Sequence, residues 1–365
     1  MKMIDKYTNL LESYPLYLSV AEELIAANPK CLDHNQLEPN QIIIATTAYM
    51  TSPVLLNYVF WVLEQAEAQG IGTLYFLSRD GYVLKIIGEK LASVWFPSIE
   101  CKYFYCSRYA LQTTSKSLLA EYMLQEGLHK PDIAIVDTGW MGSMQKNIQA
   151  IRSQFFGNDH IIGYYFGMLS KGFRDSGTYK TYLFSPGEKW IHNFGFNANV
   201  FECLCSADHG MTIDYKKTKT KIEPRFSENI PNGPTTLQLQ IIKDYMEHFM
   251  ARNPQKRDVP IERSIIRKLL WRFIHSPTKA EAATYGSILF AHDSKENQLY
   301  PLAEKTDVSL IKNNLFFFRL INKIWLKRKV RPLYWIEGTA VLSGYSLGMD
   351  MYLLYAIRLI LQYYF

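Results

Sequence analysis

Cysteine is scarce in this sequence, and its spacing suits neither a disulfide framework nor a common zinc site. The chain has five cysteines and no C-x-x-C pair. An odd number of scattered thiols is typical of reduced cysteines in a cytosolic protein. Cys203 and Cys205 together with His209 form one metal-binding alternative, but their spacing is poor for zinc. We therefore expect free thiols in core positions.

Long apolar runs are absent as well. A membrane-spanning helix needs about 20 apolar residues, and the nearest candidate, the C-terminal MYLLYAIRLILQYYF, contains Arg358. This C-terminal segment is therefore predicted to form a buried or interfacial helix. The first thirty residues carry acidic side chains that interrupt any secretory signal: Asp5, Glu12, Glu22 and Glu23. The expected location is cytoplasmic.

A strong charge excess is also missing, since 40 Lys and Arg against 34 Asp and Glu leave only +6. Without a recognised binding motif, this small excess predicts no nucleic-acid partner. The 365 residues are 48% hydrophobic, which excludes disorder. Aromatic residues are abundant, with 25 Tyr, 20 Phe and 7 Trp. Such side chains fill cores, line sugar sites and lie at membrane interfaces.

Short apolar segments rich in strand formers alternate with amphipathic helical segments. We predict strands at 73–77, 102–106, 132–136 and 161–166. This alternation is the signature of a parallel sheet covered by helices. The fold class is therefore predicted as α/β, with a Rossmann-like three-layer parallel sheet, in which a phosphoribosyltransferase-like arrangement is one option. A mostly helical C-terminal region follows.

Composition divides the chain into four parts. Residues 1–50 form a helical N-terminal segment and 51–216 the α/β core domain with the ligand site. The Pro-, Asn- and Gly-containing residues 217–234 are a linker or long loop, and 235–365 are mostly helical. Within the last part, large apolar residues alternate with basic residues from Arg319 to Arg331. This pattern favours a partly buried helix with a basic face, and it also suits peripheral contact with the inner face of the plasma membrane.

Polar side chains follow three of the predicted strands. They are Ser78, Arg79, Asp80 and Gly81 after the first, Ser107 and Arg108 after the second, and Asp137, Thr138 and Gly139 after the third. Ligands bind at the carboxyl ends of parallel strands, so these residues predict a ligand site. Arg79 and Arg108 suit phosphate or carboxylate. Asp80 is either a general base or the partner of an arginine.

The third strand end, D-T-G-W-M-G-S-M-Q, carries the most detail. Its ligand-binding candidates beyond Gly139 are Trp140, Gly142, Ser143 and Gln145. Glycines allow a ligand to approach the backbone, and a helix N-terminus favours anions. The segment predicts either a phosphate cradle or a tight structural turn. Asp137 is the candidate to act in catalysis or to hold Mg²⁺, and the spacing matches neither a P-loop nor G-x-G-x-x-G.

An acid and an imidazole come together further along the chain. Glu202 precedes Asp208 and His209, and His209 is a candidate for proton transfer near neutral pH. The alternative is a structural histidine beside an aspartate. Asp208 is a candidate ligand-binding residue.

The motifs YFLSRDGY, YFYCSRYAL, IVDTGWMGSMQ, FECLCSADHG and RPLYWIEGTAVLSG occur in this order. The set resembles a bacterial family from surface-polysaccharide gene clusters, in which this region follows a haloacid-dehalogenase (HAD) phosphatase-like domain. Members are labelled as HAD-superfamily hydrolases. HAD phosphatases use a D-x-D pair, and no two aspartates here are separated by one residue. HAD-type hydrolysis is therefore not expected, nor is a glycosyltransferase that holds its metal through D-x-D.

A weaker likeness joins LYFLSRDGYVLKIIGEKL and IVDTGWMGSMQ to type I phosphoribosyltransferases, in which a strand ending in acids carries a loop over the ribose phosphate. Here the single Asp137 stands where that family has an acidic pair, and Trp140 interrupts the loop. We treat this likeness as an analogy of fold.

The function expected from the sequence is that of an enzyme, a transferase or hydrolase, that binds a phosphorylated sugar or nucleotide-sugar in surface-polysaccharide biosynthesis. One alternative is a non-catalytic scaffold partner of a membrane-bound glycan synthase. The other is a phosphoribosyltransferase-like transferase.

Overall fold

The structure is a computed structural model of the chain. It describes residues 3–28, 31, 38–158, 160–169, 178–185, 196–205, 207–228, 234–253, 255, 259–291, 298–315 and 330–348. Most of the predicted basic segment, including Arg319, Lys323, Lys327, Arg328 and Lys329, lies outside the described residues, as does the C-terminal segment containing Arg358.

Helices and strands alternate through the first half of the chain, and helices dominate the second half. The helices are α1 (Asp5–Leu11), α2 (Pro15–Ala26), α3 (Pro39–Thr46), α4 (Ser52–Ala68), α5 (Gly81–Trp95), α6 (Arg108–Thr113), α7 (Lys116–Glu126), α8 (Ser143–Phe156), α9 (Ala198–Glu202), α10 (Pro234–Arg252), α11 (Arg263–His275), α12 (Lys279–Gly286), α13 (Val308–Asn314) and α14 (Ile336–Leu342). The strands are β1 (Thr73–Leu77), β2 (Glu100–Phe104), β3 (Ile133–Trp140), β4 (Ile162–Met168), β5 (Tyr179–Phe184), β6 (Thr212–Lys217), β7 (Ile222–Phe226), β8 (Leu289–Ala291) and β9 (Leu299–Pro301).

The central sheet has five parallel strands in the order β2-β1-β3-β4-β5, which confirms the predicted α/β class. Thr73 of β1 lies opposite Glu100 of β2 on one side and Ile133 of β3 on the other. The chain leaves β1 toward one edge of the sheet and leaves β3 toward the other. The carboxyl ends of β1 and β3 therefore flank the topological switch point, where open parallel sheets bind ligands.

Helices cover both faces of the sheet, because successive strand residues point to opposite sides. Leu74 and Phe76 of β1 join the larger hydrophobic core, which also contains side chains of α4 and α5. Tyr75 and Leu77 join a second core with side chains of α7 and α8. The sheet therefore lies between two layers of helices, which is the three-layer arrangement that the sequence predicts.

One continuous helical segment, Pro39–Ala68, is long and apolar enough to cross a membrane. It contains α3, a π-helical turn at Thr47–Thr51 and α4. Its most apolar window is buried entirely within the protein. The segment is therefore a core helix of the α/β fold, and it runs across the boundary that the sequence predicts near residue 50.

A buried charge network attaches the N-terminal helices to the C-terminal ones. The Lys6 ammonium donates to the Glu281 carboxylate at 2.5 Å, and the Tyr7 hydroxyl donates to the other oxygen of that carboxylate. Lys6 also donates to the carbonyl oxygens of Arg272 and Ser276. Because these donors satisfy the carboxylate, removing either partner of the pair leaves a buried charge that costs about 3–5 kcal/mol.

Several elements differ from those predicted. The strand predicted at 102–106 is β2 at Glu100–Phe104, and the strand predicted at 132–136 is β3, which continues to Trp140, so Asp137, Thr138 and Gly139 lie within the strand and not after it. The region 217–234, predicted as a linker or long loop, contains β7, which pairs antiparallel with β6 in a β-hairpin, so its first part is ordered structure. The fifth strand, Tyr179–Phe184, was not predicted. It pairs with β4 at the edge of the sheet, and its first three residues are only partly buried, so it lacks a continuous apolar run.

The register of β3 against β4 yields a prediction about Gly139. Gly139 has φ of 134°, and a Cβ there would lie 1.9 Å from the carbonyl oxygen of Gly167. Gly139→Ala should lower the free energy of unfolding by about 3 kcal/mol or more, because it adds overpacking to backbone strain. Gly157, with φ of 67° and open space around it, is the matched control, and Gly157→Ala should cost about 1 kcal/mol. Equal losses in urea unfolding of the two variants would contradict this register.

Candidate active site

Two serines join the ends of β1 and β2 to the surrounding backbone. The Ser78 hydroxyl accepts a hydrogen bond from the Cys106 amide at 2.8 Å and donates to the carbonyl oxygen of the same residue. The Ser107 hydroxyl caps α6 by accepting from the Ala110 amide at 2.9 Å, and it donates to the Thr212 carbonyl oxygen at 2.6 Å. Both predicted ligand-binding serines are thus bonded within the protein. Each serine directly precedes one of the two arginines of the site, Arg79 or Arg108.

Asp80 and Thr138 connect the ends of β1 and β3. The Thr138 hydroxyl donates to the Asp80 carboxylate with an oxygen–oxygen distance of 2.6 Å. Burial raises the pKa of Asp80, while the Thr138 hydrogen bond and the positive charge of Arg79 lower it. The contact brings the turn after β1 against the last residues of β3, as the strand-end argument predicts.

Asp137 is buried beside this contact. Its pKa is raised well above the usual value, first by burial and then by the negative charges of Asp80 and Glu202. The backbone N–H groups of Thr138 and Gly139 donate to its carboxylate and oppose part of this rise. Like charges at close range favour sharing of protons between the carboxyl groups.

Glu202, at the end of α9, is the third carboxylate of the site. Trp140 Nε1 donates to its Oε1 at 2.7 Å. Burial raises the pKa of Glu202 to about 7, and the charge of Asp80 acts in the same direction. The Trp140 hydrogen bond and the charges of Arg79 and Arg108 oppose the rise. Glu202 can therefore both accept and donate a proton near neutral pH.

Arg79 and Arg108 provide the positive charges at the site. Arg79 is half-buried and lowers the pKa values of Asp80 and Glu202. Arg108 begins α6, is exposed, and also lowers the pKa of Glu202. Two guanidinium groups thus face a group of carboxyls that are hard to ionise, an arrangement that offers anion binding beside proton transfer.

Two predicted ligand-binding residues have structural roles. The Gln145 amide donates to the carbonyl oxygens of Ile161 and Thr178, and its oxygen accepts from the Tyr165 hydroxyl at 2.8 Å. Its side chain is fully buried, so a ligand role does not fit. A Cβ at Gly81 would lie 2.8 Å from the carbonyl carbon of Phe76, so this glycine allows α5 to pack against β1.

The start of α8 has some of the features expected of a phosphate cradle. Gly142 adopts a left-handed conformation with φ of 65° just before the helix. No side chain caps the helix, whose first residue, Ser143, is partly exposed. Trp140 differs from the prediction, because it is buried against Phe184, Phe196 and Phe201. Its role at the site is to hold Glu202.

His209 lies at the rim, near Arg79. Its Nδ1 is 2.8 Å from the Gly210 carbonyl oxygen and its Nε2 is 2.8 Å from the Tyr103 hydroxyl. The carbonyl can only accept, so Nδ1 carries the proton and Nε2 accepts from Tyr103. Burial lowers the pKa of His209. Both ring nitrogens thus have protein partners, which leaves the predicted proton transfer without a free nitrogen. Asp208 is exposed beside it.

Within the described ranges, no group of three or more His, Cys, Asp or Glu side chains is arranged to hold a metal ion. The five thiols are free and buried, as the cysteine spacing predicts. Burial raises the pKa of Cys203 and Cys205, which keeps these thiols protonated and unlike metal ligands.

The sequence places Glu202 near Asp208 and His209 but does not place it with Asp80 and Asp137. The sequence around Glu202 is an acidic residue within an apolar stretch before Cys203. This pattern is equally typical of a structural buried carboxylate and does not by itself indicate an active site. Only the packing of α9 against Trp140 brings Glu202 to the sheet edge.

A scan against protein-family models found no match, and a search of curated proteins found no significant match.

The raised pKa of Glu202 predicts a pH-dependent stability. Its ordinary pKa is 4.5 and its folded value is about 7, so the folded state holds the proton over this interval and the unfolded state releases it. The stabilisation therefore falls as pH rises from 4.5 to 7. Glu202→Gln should gain stability relative to wild type as pH increases across this window, measured as the difference in Tm.

The exposed Glu67 on α4 offers the matched control. Glu67→Gln should follow the wild-type pH profile throughout. A Glu202→Gln profile parallel to wild type would contradict the raised pKa.

Proposed function

We propose that this protein is an enzyme that binds a phosphorylated sugar or nucleotide-sugar and acts on it as a transferase or hydrolase. One observation carries the proposal. The carboxyl groups of Asp80, Asp137 and Glu202 converge with Arg79 at the switch point between β1 and β3, and burial together with neighbouring charges shifts the pKa values of these carboxyls. Such convergence of perturbed acids with cations is typical of active sites.

The two arginines support binding of an anionic substrate. Guanidinium groups suit phosphate because their donors match its oxygens in pairs. An anion beside Arg79 and Arg108 would lie close to the uncapped start of α8, whose N–H groups favour negative charge. Three carboxyls at the same edge would repel a phosphate if all were ionised, and their raised pKa values reduce this repulsion.

The carboxyls support general acid–base chemistry. In this proposal Glu202 gives a proton to the leaving oxygen or takes one from the attacking hydroxyl, because its pKa of about 7 suits both roles. Asp80, oriented by Thr138, is the second proton carrier. Two backbone N–H groups fix the Asp137 carboxyl, which adds a negative charge to the site when it ionises.

Mg²⁺ fits this site only together with the substrate. Mg²⁺ is commonly held by one or two carboxylates plus phosphate oxygens and water, and Asp137, with Asp80 beside it, is the carboxylate that we propose to hold it. When bound, it would neutralise phosphate charge. The acid–base roles above belong to the protein's own side chains.

The motif resemblance gives the proposal its context in bacterial surface-polysaccharide biosynthesis, and we propose a cytoplasmic location. The phosphoribosyltransferase-like alternative shares the strand-end site. The scaffold alternative, with contact to a membrane or a glycan synthase, rests on the basic segment, most of which lies outside the described residues.

Ligand binding provides the first test. Sugar 1-phosphates, nucleotide-sugars and phosphoribosyl diphosphate should be screened by thermal shift with and without Mg²⁺. A true ligand at about 100 times its Kd raises the free energy of unfolding by about 2.7 kcal/mol. Arg79→Gln and Arg108→Gln should each weaken binding by about 10- to 100-fold, since hydrogen bonds to charged groups contribute about 1.5–3 kcal/mol.

Arg225, exposed on β7, is the matched control. Arg225→Gln should bind as wild type does. No stabilisation by any member of the panel, or equal losses in all three variants, would reject the proposed substrate class.

Turnover provides the second test. With the ligand so identified, Glu202→Gln should retain binding within a few fold but lose about 10²- to 10⁴-fold in rate, as expected for a general acid or base. The rate can be followed by ³¹P NMR of the phosphate group. Glu67→Gln should turn over normally. A fully active Glu202→Gln would exclude Glu202 from proton transfer.

A further inference from the structure

An aromatic cluster borders the candidate active site on the side of β2 and the β6–β7 hairpin. We define it as Tyr82, Tyr103, Tyr105, His209 and Phe226. We propose that this aromatic cluster is the subsite that stacks against the sugar ring of the substrate, with the Asp208 carboxylate binding ring hydroxyls and Arg79 holding the phosphate. The inference rests on the proposed function and adds the position of the sugar ring to it.

His209 is the centre of the cluster. Its ring centroid lies 5.1 Å from that of Phe226, 5.3 Å from Tyr105, 5.5 Å from Tyr103 and 5.8 Å from Tyr82. Tyr105 also contacts Phe226 at 5.3 Å. These separations are ordinary for interacting aromatic rings. The rings therefore support one another as a single surface.

The hydrogen bonds of His209 fix its ring as part of this surface. Nδ1 donates to the Gly210 carbonyl and Nε2 accepts from Tyr103, both at 2.8 Å. A neutral imidazole with both nitrogens engaged has no free proton acceptor to offer a ligand, so His209 contributes its ring to the aromatic cluster. This accounts for a histidine near the site that the acid–base chemistry does not use.

The cluster is open to solvent where a ligand would meet it. Phe226 is 38% exposed, one of the large hydrophobic side chains on the surface. Tyr82, Tyr105 and His209 are partly exposed. A sugar ring has an apolar C–H face that packs on aromatic rings and hydroxyls that need polar partners, so a purely apolar partner would leave the neighbouring charges unmatched.

Those polar partners are present on either side. The Asp208 carboxylate is exposed and lies 3.4 Å from the Tyr82 hydroxyl. The Tyr103 hydroxyl lies 3.5 Å from the Arg79 carbonyl oxygen, and the positive charge of Arg79 lowers the pKa of His209, so Arg79 lies next to the cluster. The surface therefore continues directly into the proposed phosphate site, and a hexose phosphate complements its aromatic face, its carboxylate and its cation together.

Several contacts hold the hairpin, and with it Phe226, against the sheet. Ser107 donates to the Thr212 carbonyl oxygen at 2.6 Å, and the Tyr215 hydroxyl donates to the Tyr105 carbonyl oxygen at 2.8 Å. Tyr215 and Ile222 join the second core. The aromatic surface is thus preorganised, which lowers the entropy lost when a ligand binds.

Calorimetry with glucose 1-phosphate, galactose 1-phosphate, UMP and inorganic phosphate tests the inference. The variants are Phe226→Ala, Phe226→Leu, which keeps apolar bulk without a ring, and Asp208→Asn. Phe155→Ala, at an exposed Phe on α8, is the control. We expect Phe226→Ala to weaken hexose 1-phosphate binding by about tenfold or more and to leave inorganic phosphate binding unchanged, with a smaller loss for Phe226→Leu and no loss for the control.

Each contrary result has its own meaning. Unchanged hexose phosphate affinity in Phe226→Ala and Asp208→Asn, with affinity still lost in Arg79→Gln, overturns the sugar subsite and leaves the proposed function standing. A loss confined to UMP overturns the sugar assignment in favour of base stacking. If none of these four probes and no member of the thermal-shift panel binds the wild-type protein, the proposed function fails and the subsite fails with it.

Discussion

The hydrogen bond from Thr138 to Asp80 joins the ends of β1 and β3, and the candidate site depends on it. Parallel pairing of these strands fixes the two residues at the same edge of the sheet, 2.6 Å apart between their side-chain oxygens. Because the chain departs in opposite directions after β1 and β3, the edge between them is not filled by a connecting segment. The fold thus concentrates polar groups where a ligand has access.

Burial decides the chemistry that these groups can perform. Desolvation is the largest cause of the raised pKa values of Asp80, Asp137 and Glu202, and mutual repulsion adds to it for Asp137 and Glu202. Hydrogen bonds from Thr138, Trp140 and the backbone, together with the two arginines, limit the rise. The result is a set of acids that are harder to ionise than isolated carboxylates in water, and Glu202, with a pKa of about 7, exchanges its proton near neutral pH.

The core that supports this edge draws on the whole described chain. The larger hydrophobic cluster includes Met3, the inner face of β1 and Trp335, and the buried Lys6–Glu281 pair joins the first helix to α12. The boundaries predicted near residues 50 and 217 therefore mark changes in the sequence pattern. They do not divide the larger hydrophobic core, which extends across both positions. A long apolar helix at the centre is explained by this shared core, since its apolar window is completely enclosed.

The sequence alone determined the parallel sheet, because apolar five-residue segments alternating with amphipathic helices have few other solutions, and β1 lies where it was predicted. It also predicted that the carboxyl ends of the strands bring their polar residues together, and the contact between Asp80 and Thr138 shows this for β1 and β3. The edge strand β5 and the hairpin are not evident from the sequence, because many of their residues are partly buried or exposed and their apolar periodicity is weak. Only the tertiary structure decided that Gln145 faces inward, that Trp140 holds Glu202, and that His209 lies within an aromatic cluster. Those roles depend on contacts between distant segments, which local pattern does not encode.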